Sequence, residues 1–494
     1  MRTNAPSTRA CANARMIIAA AWTTIAASAS AVSAQAPNPF TTPPKLAAPS
    51  ALVLPTIVQR TLPNGLKLII VEQHEIPVLD VSLVVRTGAE ADPKGKSGLA
   101  SLTASLLTEG AGAYDASSLA EQIAYLAIQL NAAATFDQSA VKLHTTRATL
   151  DSALALMADI TLRPTFAEKE FVRVKSSRLT SLLQEQDRGP AMADRAFAAI
   201  VFGEAHPYGN SVAGNRDAVD TFIRDDVVNF WKSAYRADNA TLIMVGDISV
   251  AAAEAKARMA FGSWTRGTAP TPLASVQAPA AASTTVYIVD KPKAAQSSFR
   301  IGGVGVARST TDYYPLMVMN TALGGAFTSR LNQNLRETKG YTYGANSGFG
   351  MRRQAGPFIA RAEVVAAKTD SALIEFMKEF DAIRKPIPSA ELAKTKRYLQ
   401  LGYAEGFEST RDIAEQIAAL VPYDLPLTML GRYNAGMGAV TAADVERVAK
   451  RYLDPSKFAI VIAGDRAMIE AGLKATKIAP VEIRDLRGRR LPTP

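Results

Sequence analysis

From Leu66 onward the chain becomes strongly apolar. "LKLIIVEQ" (66–73) and "VLDVSLVVRTG" (78–88) are short runs rich in Val, Ile and Leu, bounded by turn residues, and they predict two strands. Leu99, Leu102 and Leu106 then recur at helical spacing. They predict an amphipathic helix across "SGLASLTASLLTEG" (97–110), with Ser97 as its N-cap and Gly110 as its stop. A strand, long helical stretches and a closing strand, "TLIMVGD" (241–247), follow. The same sequence of patterns returns later as "TVYIVD" (285–290), "FRIGGVGV" (299–306) and "FAIVIAGD" (458–465).

The return has a fixed period. A shift of 218 residues lays Val71-Glu72 on Val289-Asp290 and Gly246-Asp247 on Gly464-Asp465. One offset at both ends of the unit implies duplication of a whole domain. Strands and helices do not alternate strictly, and no Gly-rich phosphate loop follows a first strand. The expected class is therefore α+β: two homologous layered domains, each a mixed sheet with helices on one side. The expected boundaries are a first domain over 55–266, a Pro/Ala/Ser linker over 267–284, a second domain over 285–480 and a basic tail over 481–494.

Composition narrows the class. The 494 residues are 48% hydrophobic and 20% charged, enough for large cores. The net charge of +10 is scattered between the N-terminus and the segment "IRDLRGRR", with no basic stripe among aromatics, which argues against a nucleic-acid partner. Arginines before "MIIAAAWTTIAASASAV", ending in small residues at Val32 and Ala34, mark residues 1–34 as a secretory signal peptide. Residues 35–54 form a Pro/Ala-rich leader. Export is expected, to a bacterial periplasm, with no membrane span once the signal is cleaved. The single cysteine, Cys11, falls inside the signal, so the mature chain has neither disulfides nor thiol chemistry.

The predicted helix carries Ser101, Ala104 and Ser105 on one face, at the spacing that zinc-binding helices give to their ligands. Its surroundings, "VVRTGAEADPKGKSGLASLTASLLTEG", resemble the active-site segment of the pitrilysin/insulinase family of zinc peptidases, which carry the inverted motif H-x-x-E-H. In that resemblance the two His positions fall on Ser101 and Ser105. The general-base Glu falls on Ala104, and the third ligand, on a later helix, falls near Ser181. Neutral hydroxyls are poor zinc ligands and a methyl group is no base. The three histidines, His74, His144 and His206, have no metal-ligand spacing, and His206 in "HPYG" reads as a structural turn residue. No metal or cofactor is expected in this chain.

A second segment, "LGGAFTSRLNQNLRETKGYTYGANSGF" (323–349), resembles the second-domain signature of the same family. Arg336 stands near the end of a helix stopping at Gly340, and Tyr343 begins the next strand. Both can donate hydrogen bonds to a carbonyl oxygen that becomes negative, although ion pairing by Arg336 with Glu337 and simple packing by Tyr343 are the alternatives. The resemblance implies a non-catalytic subunit of an exported hetero-oligomeric metallopeptidase. It would be inactive alone and would supply Arg336 and Tyr343 to a homologous zinc-bearing partner in a heterodimer or heterotetramer. The substrate class is a peptide or small unfolded protein. The rival reading is a scaffold or peptide-binding protein with no part in hydrolysis. An enzyme with substitute ligands is disfavoured, because no His/Asp/Glu cluster has suitable spacing.

Overall fold

The computed structural model describes residues 53–267, 277–279 and 281–491. The expected signal peptide, nearly all of the expected leader and much of the expected linker lie outside the described residues. The first half contributes β1 (Ile57–Thr61), β2 (Lys67–Glu72), β3 (Val78–Val85), β4 (Gln129–Ala134), β5 (Ser139–Thr146) and β6 (Ala240–Gly246). They form one sheet in the order β1-β2-β6-β3-β5-β4. The second half contributes β7 (Thr285–Asp290), β8 (Gln296–Val304), β9 (Thr342–Phe349), β10 (Pro357–Val365), β11 (Ala459–Gly464) and β12 (Val481–Arg484). Their order is β9-β10-β8-β11-β7-β12.

Read from its far edge, the second sheet repeats the first in five strands; the outermost differs, β1 running antiparallel to β2 and β12 parallel to β7. The parallel pairing of β2 with β6 sets Lys67 opposite Thr241, and that of β7 with β11 sets Thr285 opposite Ala459, so the register itself is carried over by the 218-residue shift. Two features differ from expectation. Each half holds two central strands where one was expected, β4–β5 and β9–β10. The anticipated basic tail is not a separate segment, because its first residues are β12, paired in parallel with β7. A polar, Arg-containing sequence serves there as an edge strand with only one buried residue, Ile483.

Each sheet packs one face on its own helices. In the first half these include α1 (Leu99–Leu106), α2 (Leu150–Leu162), α3 (Glu168–Gln184) and α5 (Arg224–Ala234); in the second they include α6 (Thr369–Ile383) and α8 (Ala442–Tyr452). The opposite faces are covered by exchange. Helix α4 (Gly189–Phe202) belongs to the first half, but its Met192, Ala196 and Phe197 pack on Ile359, Val461 and Ala463 of the second sheet. Helix α7 (Thr410–Ala418) belongs to the second half, and its Ile413, Ala414 and Ile417 pack on Ile69, Val84 and Ile243 of the first. This is why "LIIV", "TLIMVG" and "AIVIAG" read as unbroken apolar runs: strands covered on both faces have no polar side to present. Buried Arg300 on β8 fixes one exchange, donating to both oxygens of Asp194 on α4 at 2.6 and 3.1 Å. Thr410 fixes the other, donating to Asp80 at 2.6 Å.

Candidate functional site

Helix α1 is the element on which metal chemistry would rest. Its core stripe is as expected, with Leu99, Leu102 and Leu106 buried in the first-half core. Its ends are not. Ser97 Oγ accepts from the Asn215 side-chain amide at 3.0 Å, and the capping residue is Gly98, held at φ +100°. The caps come from a distance: the Asp92 carboxylate accepts from the backbone N–H of Gly98 at 2.7 Å and of Ala100 at 2.8 Å. The helix ends at Leu106, and Gly110 opens a short strand ladder with Asp115. Glycine is required at 98 because a Cβ there would stand 2.7 Å from the Ala213 carbonyl oxygen. That close approach brings the 211–214 turn against α1.

Ser101 and Ser105 share the accessible face of α1, while Ala104 is fully buried. The Ser105 hydroxyl donates back to the Ser101 carbonyl at 3.0 Å. Against both hydroxyls stands a residue the sequence reading did not single out. Arg178 on α3 donates from Nη1 to Ser101 Oγ at 3.2 Å and from Nη2 to Ser105 Oγ at 3.3 Å, and its Nη1 also reaches the Ala213 carbonyl at 3.2 Å. Burial pushes the Arg178 guanidinium below its ordinary range, with Glu185 pulling the other way. Ser181, one turn further along α3, is exposed and donates to Ser177 of its own helix at 3.0 Å; among the described contacts nothing joins it to α1. The side chains present do not fit a zinc ion: two hydroxyls and a methyl group stand where ligands and base would be, and a cation stands against them. The only advance signal for Arg178 was a cation directly among the serines of "SSRLTS" (176–181).

The histidines are occupied elsewhere. His206 is buried and caps the Pro207–Gly209 turn by accepting from the Tyr208 N–H at 2.9 Å. His74 pairs with Asp247 at 2.7 Å and His144 with Asp80 at 3.0 Å. Among the described residues no group of three or more His, Cys, Asp or Glu side chains could hold a metal ion.

Just before α1, two carboxyls lie two residues apart in the chain. Asp92 is pushed up to about 7 by burial, against the pull of its backbone donors. Glu90 is also pushed up to about 7, by burial and by neighbouring Asp137, while Arg353 opposes the shift. Arg353 comes from the β9–β10 loop of the second half, and its Nε lies 2.8 Å from Glu90 Oε1. Asp137 is held by the hydroxyls of Tyr208 at 3.2 Å and Tyr423 at 2.9 Å, so both halves meet at this cluster.

The second expected site forms one corner of the second domain. Arg336 lies on a π-helical turn, Gln333–Thr338, which Gly340 reverses at φ +63° into β9. Its guanidinium pairs with Glu337 at 3.3 Å and stacks over Phe327 at 4.5 Å from the ring centre. Tyr343 does not pack. It is 89% exposed, because the pairing of β9 with β10 slips between Thr342 and Ala345. Such a bulge re-aims a side chain out of the ladder. Thr342 holds the bulge, donating to Glu363 O at 2.7 Å. Tyr341, by contrast, packs against the core. Among the described contacts no hydrogen bond joins Arg336 to Tyr343, and none joins either to α1.

Fold and site together define a duplicated α+β scaffold in which the accessible face of α1 carries hydroxyls and a guanidinium in place of metal-ligand side chains. Residues 67–214 match the family model "Insulinase (Peptidase family M16)" and residues 221–399 match "Peptidase M16 inactive domain". The chain belongs to the M16 peptidase family, as a non-catalytic member. An "uncharacterized zinc protease" of Rickettsia bellii is 22% identical over 81% of this chain and 96% of its own length. A "non-peptidase homolog" of Helicobacter pylori is 23% identical over 66% of this chain and 75% of its own. Among solved structures, a peptidase M16 inactive domain from Pseudomonas fluorescens superposes with a TM-score of 0.77 at 27% identity, over 83% of this chain and 98% of that one.

Proposed function

We propose that the chain is the non-catalytic subunit of an exported hetero-oligomeric zinc peptidase, and that it offers Arg336 and Tyr343 to a homologous zinc-bearing partner. The observation that carries this reading is the contrast between the two corners. The metal positions are filled by Ser101, Ala104, Ser105 and a guanidinium, whereas the bulge at Tyr343 holds a phenol out to solvent. In a shared site both groups would donate to the carbonyl oxygen of a bound peptide as it gains negative charge. Zinc would belong to the partner, and the substrate would be an extended peptide or small unfolded protein. The apolar signal-like segment over 1–34 supports export.

The scaffold reading has one observation of its own: Arg336 already has Glu337 and the Phe327 ring as partners. The two readings separate in a reconstitution. The chain alone should cleave no unstructured peptide, and a mixture with a zinc-bearing M16 subunit from the same cells should form a complex and cleave it. A complex whose turnover equals that of the partner alone would overturn the subunit reading.

A further inference from the structure

Arg178 has a neighbour in the same electrostatic situation. Arg195 on α4 donates from Nη2 to the Gly214 carbonyl at 3.2 Å, while Arg178 donates to the carbonyl of Ala213. Two half-buried guanidiniums thus bracket one turn through consecutive carbonyl oxygens. Burial lowers the pKa of both, and the acid acting on both is the single carboxylate of Glu185. Among the described residues neither arginine has an ion pair within 4 Å. The other nearby acid, Asp217, is engaged by Arg487. Arg178 and Arg195 against Glu185 leave an excess of one positive charge. A half-buried guanidinium held only by neutral oxygens is costly to keep desolvated, and an anion would offset that cost.

We propose that the former metal face is a carboxylate-binding site, with Arg178 as its anchor and Ser101 as a second donor. Ser101 Oγ accepts from Arg178, and among the described contacts its own proton has no acceptor, so it is available to an incoming oxygen. The planar guanidinium suits a planar carboxylate, and one excess charge matches a monoanion better than a phosphate dianion. Arg195 adds positive potential from across the turn. It also lines an adjoining cavity of about 600 Å³, whose other charged side chains are Asp92, Lys94, Glu204 and Arg487. That the carboxylate arrives on a peptide rests on the peptidase-scaffold reading above.

The test needs neither partner nor turnover, so its failure is separate from failure of that reading. Three labelled, unstructured peptides without other acidic groups are titrated into the purified chain by fluorescence anisotropy. One has a free C-terminus, one a C-terminal amide, and one an amide with a single internal Glu. At least one carboxylate-bearing peptide should bind about tenfold or more tighter than the neutral amide, and the pattern names the source of the carboxylate. Arg178→Gln should remove that difference, and Arg178→Lys should keep part of it. If Arg178→Gln misfolds by circular dichroism, Arg195→Gln serves in its place and should weaken the preference. Equal binding of the three peptides, no binding at millimolar concentration, or a preference untouched by both Gln variants would overturn the proposal.

Discussion

Arg353 Nε lies 2.8 Å from Glu90 Oε1, and this contact ties a loop of the second half to the segment that leads into α1. Glu90 is nonetheless pushed up from its ordinary 4.5 to about 7, because burial outweighs the cation beside it. Between those two values the folded chain holds a proton that the unfolded chain has released. Stability therefore falls as pH rises from about 4.5 through 7. Asp92, raised from 3.8 to about 7, acts in the same direction. Thermal unfolding should show a midpoint that declines from pH 5 to pH 8, and Glu90→Gln should flatten part of that slope. An identical slope in the variant would mean that Glu90 is ionised throughout.

The guanidinium against Ser101 and Ser105 bears on any attempt to build a zinc site on α1. Ser101→His, Ala104→Glu, Ser105→His and Ser181→Glu together restore the ligand types. They leave Arg178 in place, within 3.3 Å of the present hydroxyls, and Ser181 pointing to solvent. The fourfold variant is expected to hold no zinc after dialysis. Adding Arg178→Ala removes the competing cation and should allow metal to bind before any activity returns, since activity also depends on the neighbours that orient each ligand. Metal analysis of both variants decides the matter. A full equivalent of zinc in the fourfold variant would show that Arg178 swings aside.

Much of this architecture was legible because period and register are written in the backbone-facing residues. Strand β7 falls on the expected "TVYIVD", and the 218-residue shift carries over the Lys67–Thr241 register. The exchange of α4 and α7 was not legible. An apolar stripe such as Ile413, Ala414 and Ile417 states that a face is buried but not against which sheet. Nor was Arg178. The resemblance pointed to Ser101, Ala104, Ser105 and Ser181, but nothing in their spacing showed that a long side chain on α3 would reach Ser101 and Ser105. The bulge at Tyr343 was hidden for a similar reason: strand propensity carries no sign of where a ladder slips.

The exchanged helices predict that the halves unfold together. Ile417 belongs to the second half and packs on the first sheet, where Ile413 and Ala414 lie beside it. Trp231 and Trp264 both lie in the first half. Ile417→Ala removes a fully buried side chain and should cost about 2–5 kcal/mol. Because the sheet it covers belongs to the other half, tryptophan fluorescence should report the loss as a lower denaturant midpoint. A fluorescence midpoint that stays fixed while circular dichroism shifts would show that the halves melt independently.

The corner of the second domain holds Arg336 and Tyr343 outside its core. If Arg336 and Tyr343 serve a partner's site, Arg336→Ala or Tyr343→Phe should lower kcat in the reconstituted complex and leave assembly intact. Removing one donor aimed at a developing oxyanion typically costs on the order of 10² to 10³ in kcat. Folding should survive both changes, since Tyr343 is 89% exposed and the half-buried Arg336 guanidinium pairs with Glu337 and the exposed Phe327 ring, outside the core. Arg336→Lys should restore only part of the rate, because an ammonium lacks the planar fork. Phe327→Ala separates stacking from chemistry. If Arg336 acts on substrate, loss of the ring should disturb its position and cost less than loss of the guanidinium. Complex formation is followed by sizing and kcat on an unstructured peptide. Full turnover in both Arg336→Ala and Tyr343→Phe would remove the trans-acting role and leave the scaffold reading in its place.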